Sequence, residues 1–364
     1  NRLHSSLYER IKRIMAYTTV NKSISFQDTT IWDGNNTNPT TISGLSHQPD
    51  LVWAKARTGS YDTQNHCVND SVRGANNLFR LGLNNAQETD TDNLISFTSD
   101  GWTMGNDGKI NQASTTYVGW SWKAGTTSGL SGGDITPSAY SINTTSKFGI
   151  YKYQGNGTSG ATIAHGLGVK PAFMLIKCTS STDDIVMYHK KLGATKHLKW
   201  RASSRSAGTS SAYFNDTEPT TSVFSIGNDS GVNTNGATYV AYVWGEVTGY
   251  SYFGEYNGNQ QSNEGPFTFT GFRPQFVIIC RSNSDDEIEI YDSKRFGYNG
   301  KNAHLNANLS SAEDANGSRV HFLSNGFQIL TGSSGPTNSS GQPYLTMAWG
   351  QSLVGDNNTP NNAR

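Results

Sequence analysis

The chain has 364 residues, a formal net charge of zero and only 15% charged side chains, below the roughly 25% usual in soluble domains. Without a basic excess to follow a phosphate backbone, nucleic acid is excluded as an expected partner. The 34% hydrophobic and 11% aromatic content excludes a disordered polar chain, and the lack of a run of about 20 apolar residues predicts no membrane insertion. Three widely spaced cysteines predict no disulfide framework, so we expect folding in a reducing compartment.

The first residues, 1–15, form a basic amphipathic segment. Its apolar residues recur at helical spacing, which predicts a short helix with one apolar stripe. Because such a stripe suits contact with another protein or another copy of the chain, we expect it to serve assembly or anchoring, with a helix that merely covers the first repeat as the alternative. The residues of the stripe are Leu3, Leu7, Ile11 and Ile14.

After this segment, one pattern occurs three times, in stretches that we assign to residues 16–126, 139–248 and 249–354. Each repeat has a Gly-Asn turn, a proline before an apolar strand, and an asparagine followed six residues later by a tyrosine. The proline and the tyrosine are 68, 68 and 70 residues apart in the three repeats. Repetition at such constant spacing favours a folding role for the shared residues over a ligand role. The shared residues are Gly34, Asn35, Pro49, Asn111 and Tyr117; Gly155, Asn156, Pro171, Asn233 and Tyr239; and Gly258, Asn259, Pro274, Asn338 and Tyr344.

Short runs within the repeats predict β-strands. Residues 148–153 alternate before a turn, and residues 173–176 are apolar throughout, as expected for a strand buried on both faces. Residues 117–122 and 239–244 alternate aromatic and small side chains, while a short helix is expected within 78–86. The sequence thus predicts an all-β chain of three tandem β-sandwiches of the jelly-roll or lectin-like type, with a short N-terminal helix.

Two further segments differ in composition from the repeats. Gly, Ser and Thr dominate residues 127–138, which predicts a flexible linker between the first and second repeats. The second and third repeats follow each other directly. Residues 355–364 are rich in Asn, and we expect them to form a flexible tail after the third repeat.

An Asp-x-x-Arg pair occupies equivalent positions in the first and third repeats, as Asp70 with Arg73 and Asp292 with Arg295. Such a pair can recognise a ligand through its carboxylate and guanidinium groups, or it can form an internal ion pair. The second repeat has His189 at this position. Since a recognition site would not tolerate this loss of charge and geometry, the structural interpretation is favoured.

No motif for zinc, for an EF-hand, for a nucleophile elbow or for phosphate binding occurs in a suitable context. We therefore expect no metal, no cofactor and no catalytic residue, although acidic stretches at 88–92 and 285–289 leave an irregular calcium site open. Trp200 and Tyr213 lie where the repeat pattern is weakest. We consider them candidates for stacking on a sugar ligand, with a core role as the alternative for Trp200.

Five stretches of the sequence carry a family resemblance: residues 15–23, 44–53, 70–75, 117–125 and 164–168. Together they resemble a group of uncharacterised proteins encoded by marine bacteriophages, including those of cyanobacteria and SAR11-type bacteria. Members of that group are regarded as virion structural or tail proteins. The resemblance implies a protein that is made in the bacterial cytoplasm and displayed on the virion surface.

The repeats add an expectation about mechanism, because weak sites on a many-copy particle reinforce one another. We expect a homo-oligomeric tail fibre or similar appendage that contacts other virion proteins and adheres to a host-surface glycan or protein, without enzymatic activity. Three alternatives stay open: a capsid decoration or other purely structural virion protein, a virion glycan depolymerase, and a non-viral surface or filament-forming protein.

Overall fold

The computed structural model shows that the regular secondary structure of the chain is mostly β-strand, which confirms the all-β prediction. The residues it describes are 17–201, 203, 206–295, 302–315, 319–332 and 335–354. The predicted N-terminal helix with its stripe of Leu3, Leu7, Ile11 and Ile14 lies outside these ranges, as does the predicted tail at 355–364.

The helices within these ranges are short. Each α-helix has four residues: α1 (Gly108–Asn111), α2 (Ser211–Phe214) and α3 (Ser230–Asn233). A 3-10 turn spans Ser23–Ser25. The helix expected within 78–86 is wrong, because Asn77–Arg80 is a strand that pairs with a neighbour on each side.

The first repeat contains a six-stranded sheet in the order β1-β9-β3-β4-β5-β6 and a three-stranded sheet in the order β2-β8-β7. We call the larger sheet of each repeat its major sheet and the smaller one its minor sheet. The strands are β1 (Gln27–Asp33), β2 (Thr40–Ile42), β3 (Leu51–Thr58), β4 (Cys67–Asp70), β5 (Asn77–Arg80), β6 (Glu88–Thr89), β7 (Leu94–Thr98), β8 (Gly101–Met104) and β9 (Thr116–Trp122).

The second repeat has a major sheet in the order β10-β11-β18-β13-β14-β15-β16 and a minor sheet of β12 and β17. Its strands are β10 (Ala139–Asn143), β11 (Phe148–Gln154), β12 (Ala161–Ala164), β13 (Pro171–Cys178), β14 (Ile185–His189), β15 (Lys196–Trp200), β16 (Gly208–Thr209), β17 (Val223–Ile226) and β18 (Thr238–Gly245).

The third repeat has a major sheet in the order β19-β26-β21-β22-β23 and a minor sheet in the order β20-β25-β24. Its strands are β19 (Ser251–Asn257), β20 (Phe267–Phe269), β21 (Phe272–Arg281), β22 (Ile288–Asp292), β23 (Leu305–Asn306), β24 (Val320–Leu323), β25 (Gly326–Ile329) and β26 (Pro343–Ser352). The three major sheets therefore share one order, since β1-β9-β3-β4-β5, β11-β18-β13-β14-β15 and β19-β26-β21-β22-β23 correspond strand by strand.

The strand that contains or follows each repeat proline is buried on both faces. Successive side chains of a strand point to opposite sides, so its two rows of side chains enter two different cores. In β13, Phe173 and Leu175 enter a core shared by all three repeats, whereas Met174 and Ile176 enter the core of the second repeat alone. The strands β3 and β21 divide their side chains in the same way. Each major sheet therefore separates a central core from a core of its own repeat.

Three tryptophans at equivalent positions of β9, β18 and β26 meet in the central core. The ring centroids of Trp122 and Trp244 are 6.0 Å apart, those of Trp122 and Trp349 are 5.6 Å apart, and those of Trp244 and Trp349 are 6.0 Å apart. All three pairs are edge to face, which places the positive edge of one ring near the negative face of another. The three major sheets thus close around one aromatic centre.

Part of the predicted linker at 127–138 lies along β12. The backbone N–H of Asp134 donates to the carbonyl of Thr162 at 2.9 Å, and its carboxylate accepts from the Thr162 hydroxyl at 2.7 Å. Gly133 and Ile135 form bridges with Ile163. This segment is therefore held against the second minor sheet.

Replacing one tryptophan of the central triad should destabilise the whole chain. We expect Trp349→Ala to lower the free energy of unfolding by about 3–5 kcal/mol, because a large aromatic side chain leaves a packed core. Urea unfolding followed by circular dichroism measures the change. Ile31, which is exposed on β1, provides the control Ile31→Ala, for which we expect less than about 0.5 kcal/mol. Equal effects of the two substitutions would contradict the importance of the triad.

Candidate functional site

Trp200, a candidate for sugar stacking, lies in the central core with 1% of its surface exposed. Its Nε1 donates to the carbonyl of Ala307 in the third repeat at 3.2 Å, and its ring packs edge to face on Trp53 of the first repeat. No open ring face is available to a ligand. Trp200 is therefore a core residue, and the expectation that it stacks on a sugar ligand is corrected.

Tyr213, the second candidate, lies on α2 and is also buried. Its ring stacks on the imidazole of His197 with centroids 3.6 Å apart, and the Lys199 ammonium lies 5.8 Å from the ring centroid. Burial lowers the pKa of His197 to about 4, so a neutral imidazole covers the tyrosine. Because Tyr213 and Trp200 belong to different cores, they do not form one binding platform.

The Asp70–Arg73 pair is buried at the boundary between the first and second repeats. Arg73 Nε donates to Asp70 Oδ2 at 2.5 Å, and the hydroxyl of Tyr242 from the second repeat donates to the same oxygen at 2.6 Å. Arg73 Nη2 donates to the carbonyl of Val68 at 2.9 Å. The charges and hydrogen-bonding atoms of the pair are thus used inside the molecule.

The Asp292–Arg295 pair lies at the boundary between the third and first repeats. Arg295 Nε donates to Asp292 Oδ2 at 2.6 Å, and Trp120 Nε1 from the first repeat donates to the same oxygen at 3.1 Å. Glu313 accepts from Arg295 at 2.8 Å and from Arg57 of the first repeat at 2.8 and 2.9 Å. This boundary therefore contains a chain of buried ionic contacts.

His189 occupies the corresponding position at the boundary between the second and third repeats. Its Nε2 lies 3.4 Å from the carbonyl oxygen of Thr346, and its Nδ1 lies 3.2 Å from the backbone nitrogen of Lys191. The three boundary contacts run from the second repeat to the first, from the first to the third, and from the third to the second. They form a closed cycle with approximate threefold symmetry.

The repeated asparagine and tyrosine build the same hydrogen-bond network three times. Asn111 Oδ1 accepts from the N–H of Asn35 at 3.0 Å, and the Tyr117 hydroxyl accepts from Gln112 N at 2.8 Å and donates to the Gly108 carbonyl at 2.7 Å. The same positions bond at 2.8, 2.8 and 2.7 Å in each of the other repeats: Asn233 with Asn156, Tyr239 with Thr234 and Ser230, Asn338 with Asn259, and Tyr344 with Ser339 and Gly335.

Local backbone geometry explains the repeated glycine and the proline of the second and third repeats. A Cβ on Gly34 would lie 2.1 Å from the carbonyl oxygen of Gln112, and Gly155 and Gly258 meet a carbonyl oxygen at 2.3 Å in the same way. Pro171 and Pro274 lie at register shifts of β13 and β21, where the ladder is irregular. Such positions tolerate a residue without a backbone N–H.

Two buried lysines at one repeat position were missed by the sequence reasoning. Lys55 and Lys177 each follow the repeat proline by six residues. Lys55 Nζ donates to the carbonyl of Ala56 at 2.7 Å, and Lys177 Nζ donates to that of Asp183 at 2.8 Å. Burial lowers the pKa of each lysine to about 8. A charged residue within an otherwise apolar strand was the signal that could have revealed them.

A titratable cluster in the third repeat was also missed. Glu289 accepts from Arg319 Nη1 at 2.6 Å and from the Tyr291 hydroxyl, and His304 Nε2 lies 3.6 Å from its Oε1. Burial raises the pKa of Glu289 to about 7 and lowers the pKa of His304 to about 4. Asp314 is 3.6 Å from Arg319. The cluster therefore combines one carboxyl with a raised pKa and one half-exposed carboxylate.

A polar cleft of about 840 Å³ lies between the first and second repeats. Serine and threonine hydroxyls line much of it, together with His47, Asp50 and Lys123. Asp50 accepts from the Ser71 hydroxyl at 2.7 Å and from the backbone N–H of Ala124 at 2.8 Å, so its carboxylate is already engaged. Burial lowers the pKa of His47 to about 4. The cleft mainly presents hydroxyl groups.

The described ranges of the chain contain neither a metal-binding cluster nor a helix that could span a membrane. Within them, no group of three or more His, Cys, Asp or Glu side chains is placed to hold a metal ion. None of the helices there is long and apolar enough to cross a membrane. The cysteines Cys67, Cys178 and Cys280 are buried and free.

These features define an all-β protein in which three equivalent major sheets enclose one core. Residues 22–352 match the family described as Domain of unknown function (DUF7483), and the chain belongs to that family. No curated protein matches the chain, and no solved structure matches it.

Removing one hydroxyl should weaken the boundary between the first and second repeats. We expect Tyr242→Phe to lower the free energy of unfolding by about 1.5–3 kcal/mol, because the buried Asp70 carboxylate loses a donor. Denaturant unfolding measures this loss. Tyr61→Phe, at an exposed ring, is the control and should change stability by less than about 0.5 kcal/mol. The boundary role is refuted if the two variants behave alike.

The buried histidines predict a loss of stability in acid. Burial lowers the pKa of His189 to about 3 in the folded chain, whereas the same histidine has its ordinary pKa of 6.5 in the unfolded chain. The unfolded chain therefore binds more protons, and stability is lost as the pH falls below about 6.5. We expect His189→Gln to reduce the slope of unfolding free energy against pH by about 1.4 kcal/mol per unit between pH 6 and 4. Unfolding series at several pH values measure the slope, and an unchanged slope would contradict this.

Proposed function

We propose that the chain is a bacteriophage virion structural protein, displayed on the particle surface in a tail fibre or similar appendage, which adheres non-covalently to the host surface. The resemblance of five sequence stretches to marine phage proteins supports this proposal. The protein is made in the bacterial cytoplasm, assembles as a homo-oligomer and contacts other virion proteins. The pairing of a major and a minor sheet in each repeat supports the finer proposal of lectin-like β-sandwiches.

The proposal rests on the observation that the buried polar and aromatic side chains at the repeat boundaries contact one another instead of forming a catalytic site. Asp70 and Asp292 each accept a hydrogen bond from a neighbouring repeat, and Trp122, Trp244 and Trp349 join the three repeats at the centre. These contacts fix the repeats in one rigid body whose outer layers are the minor sheets. A rigid surface loses little conformational freedom on binding, which suits an adhesive particle protein.

Intact particles provide the test of this assignment. We expect gold-labelled antibodies against the chain to decorate the tail in electron micrographs. Label spread over the head would favour the alternative of a capsid decoration protein. Absence of the chain from purified particles, judged by mass spectrometry, would contradict a virion role. Particles treated with an antibody of unrelated specificity are the control.

The Glu289 cluster favours one second candidate, a virion glycan depolymerase. Glycosidases use a pair of carboxyl groups, one of which has a raised pKa. Burial raises the pKa of Glu289 to about 7, and His304 Nε2 lies 3.6 Å from the Glu289 carboxyl group and 3.9 Å from that of Asp314. The near-complete burial of Glu289 weighs against contact with a polymer. Release of reducing sugar from host polysaccharide that is lost in Glu289→Gln would establish this function, and the same release rate in the variant would exclude this site.

A further inference from the structure

Aromatic side chains are exposed on the outer face of the third minor sheet. Phe267 and Phe269 of β20 are 48% and 59% exposed, and Tyr17 beside them is 38% exposed. Tyr17 is held there by the bond from its hydroxyl to the carbonyl of Gly271 at 2.6 Å. They are three of the five large apolar side chains that are exposed in the part of the chain described. Such clustering marks interaction surfaces, whereas scattered exposed residues are ordinary.

The equivalent strands of the other repeats present polar side chains at this position. The outward residue that pairs with the neighbouring strand is Thr41 in β2, Thr162 in β12 and Phe267 in β20. In the second repeat, this strand is also covered by residues 133–135. The third repeat therefore differs from both of its internal counterparts in placing an open aromatic ring there.

The inward position of the same strand shows the opposite replacement. Ile42 in β2 and Ile163 in β12 pack into the cores of their own repeats, but β20 has Thr268 there. Thr268 is buried, and its hydroxyl oxygen finds no hydrogen-bond partner among the residues described. Burial of an unpaired hydroxyl destabilises the fold. A strand with its polar residue inside and its aromatics outside breaks the folding pattern, as functional surfaces often do.

The sheet also fixes the arrangement of these groups. A Cβ on Gly326 would lie 3.0 Å from the ring of Phe267, so this ring rests on the backbone of β25. Gln328 is directly opposite Phe267, and His321 of β24 is directly opposite Gln328. Directly opposite residues share a face. Phe269 lies two residues further along β20, about 7 Å from Phe267. The face thus combines two aromatic rings with an amide and an imidazole.

We propose that this face is the site at which the chain binds a neutral glycan of the host surface, an inference that rests on the proposed adhesive function. Sugar rings have apolar C–H faces that stack on aromatic rings, and their hydroxyls bond to amide and imidazole groups. Phe267 and Phe269 provide the stacking surfaces, and Gln328 and His321 provide the polar contacts. None of these four side chains carries a fixed charge, which favours a neutral glycan over an acidic one.

The location has a consequence for avidity. The first and second repeats have Thr41 and Thr162 where the third has Phe267, so one of the three described minor sheets contributes this aromatic site. Strong attachment then requires several copies of the chain on one particle, because the weak sites act together only when they are linked.

The experiment compares the full chain with the variant Phe267→Ser/Phe269→Ser. Ile31→Ser is the matched control, because Ile31 is 47% exposed on β1, away from this face. Binding to a β-glucan, a mannan and a galactan is measured by affinity electrophoresis, and binding of fluorescently labelled protein to host cells is measured in parallel. We expect the double variant to bind polysaccharide and cells about 10- to 100-fold more weakly, because two stacking contacts are lost, and the control to bind as the unmodified chain does.

The other outcomes would refute either the glycan site or the adhesive function. If the unmodified chain binds cells but the double variant binds equally well, the glycan site is refuted while adhesion stands. If the unmodified chain binds neither cells nor polysaccharide, the adhesive function itself fails. A drop in molecular mass of the double variant in light scattering, with polysaccharide binding retained, would make the face a contact between copies. Polysaccharide binding that appears only after deletion of residues 1–16 would show that this segment covers the face.

Discussion

The edge-to-face contacts among Trp122, Trp244 and Trp349 are the interaction on which the rest of the structure depends. The tryptophans lie at equivalent positions of β9, β18 and β26, and each of these strands has a partner strand on both sides. The packing of the three rings therefore fixes where the three major sheets meet. A sheet that is buried on both faces then needs apolar side chains at successive positions, which explains the continuously apolar runs after each repeat proline. The minor sheets cover the second faces and become the outer layers.

Polar groups at the repeat boundaries are constrained by this closure. A carboxylate buried between two sheets needs donors from both sides, and Asp70 and Asp292 obtain them from their own arginine and from the neighbouring repeat. His189 occupies the third boundary as a neutral group. The three repeats therefore keep the position of the boundary residue but not its chemical type. Residue types at equivalent positions can differ in the same way on the outer faces of the minor sheets.

The repeat spacing, the Gly-Asn turns and the strands with clear alternation or apolar runs were predictable from the sequence, because they depend on local patterns and on residues that recur. The strand Asn77–Arg80 was not, since a helix was expected within 78–86. The boundary contacts were not, because Asp70 and Tyr242 are 172 residues apart, as are Trp120 and Asp292. The sequence left two roles open for Trp200 because its strand lacks a clear repeat pattern, and the structure places its ring in the central core. Alignment of β20 with β2 and β12 is the signal that could have revealed Phe267, whose outward position contradicts the pattern of its counterparts.

Differential scanning calorimetry of the intact chain tests most directly whether the three repeats form one body around the tryptophan triad. A shared core makes unfolding of one repeat expose the apolar faces of the others, so we expect a single transition. Its calorimetric enthalpy should equal its van't Hoff enthalpy. Two or three separate transitions, or a calorimetric enthalpy about three times the van't Hoff value, would show that the repeats unfold independently and would contradict a shared core.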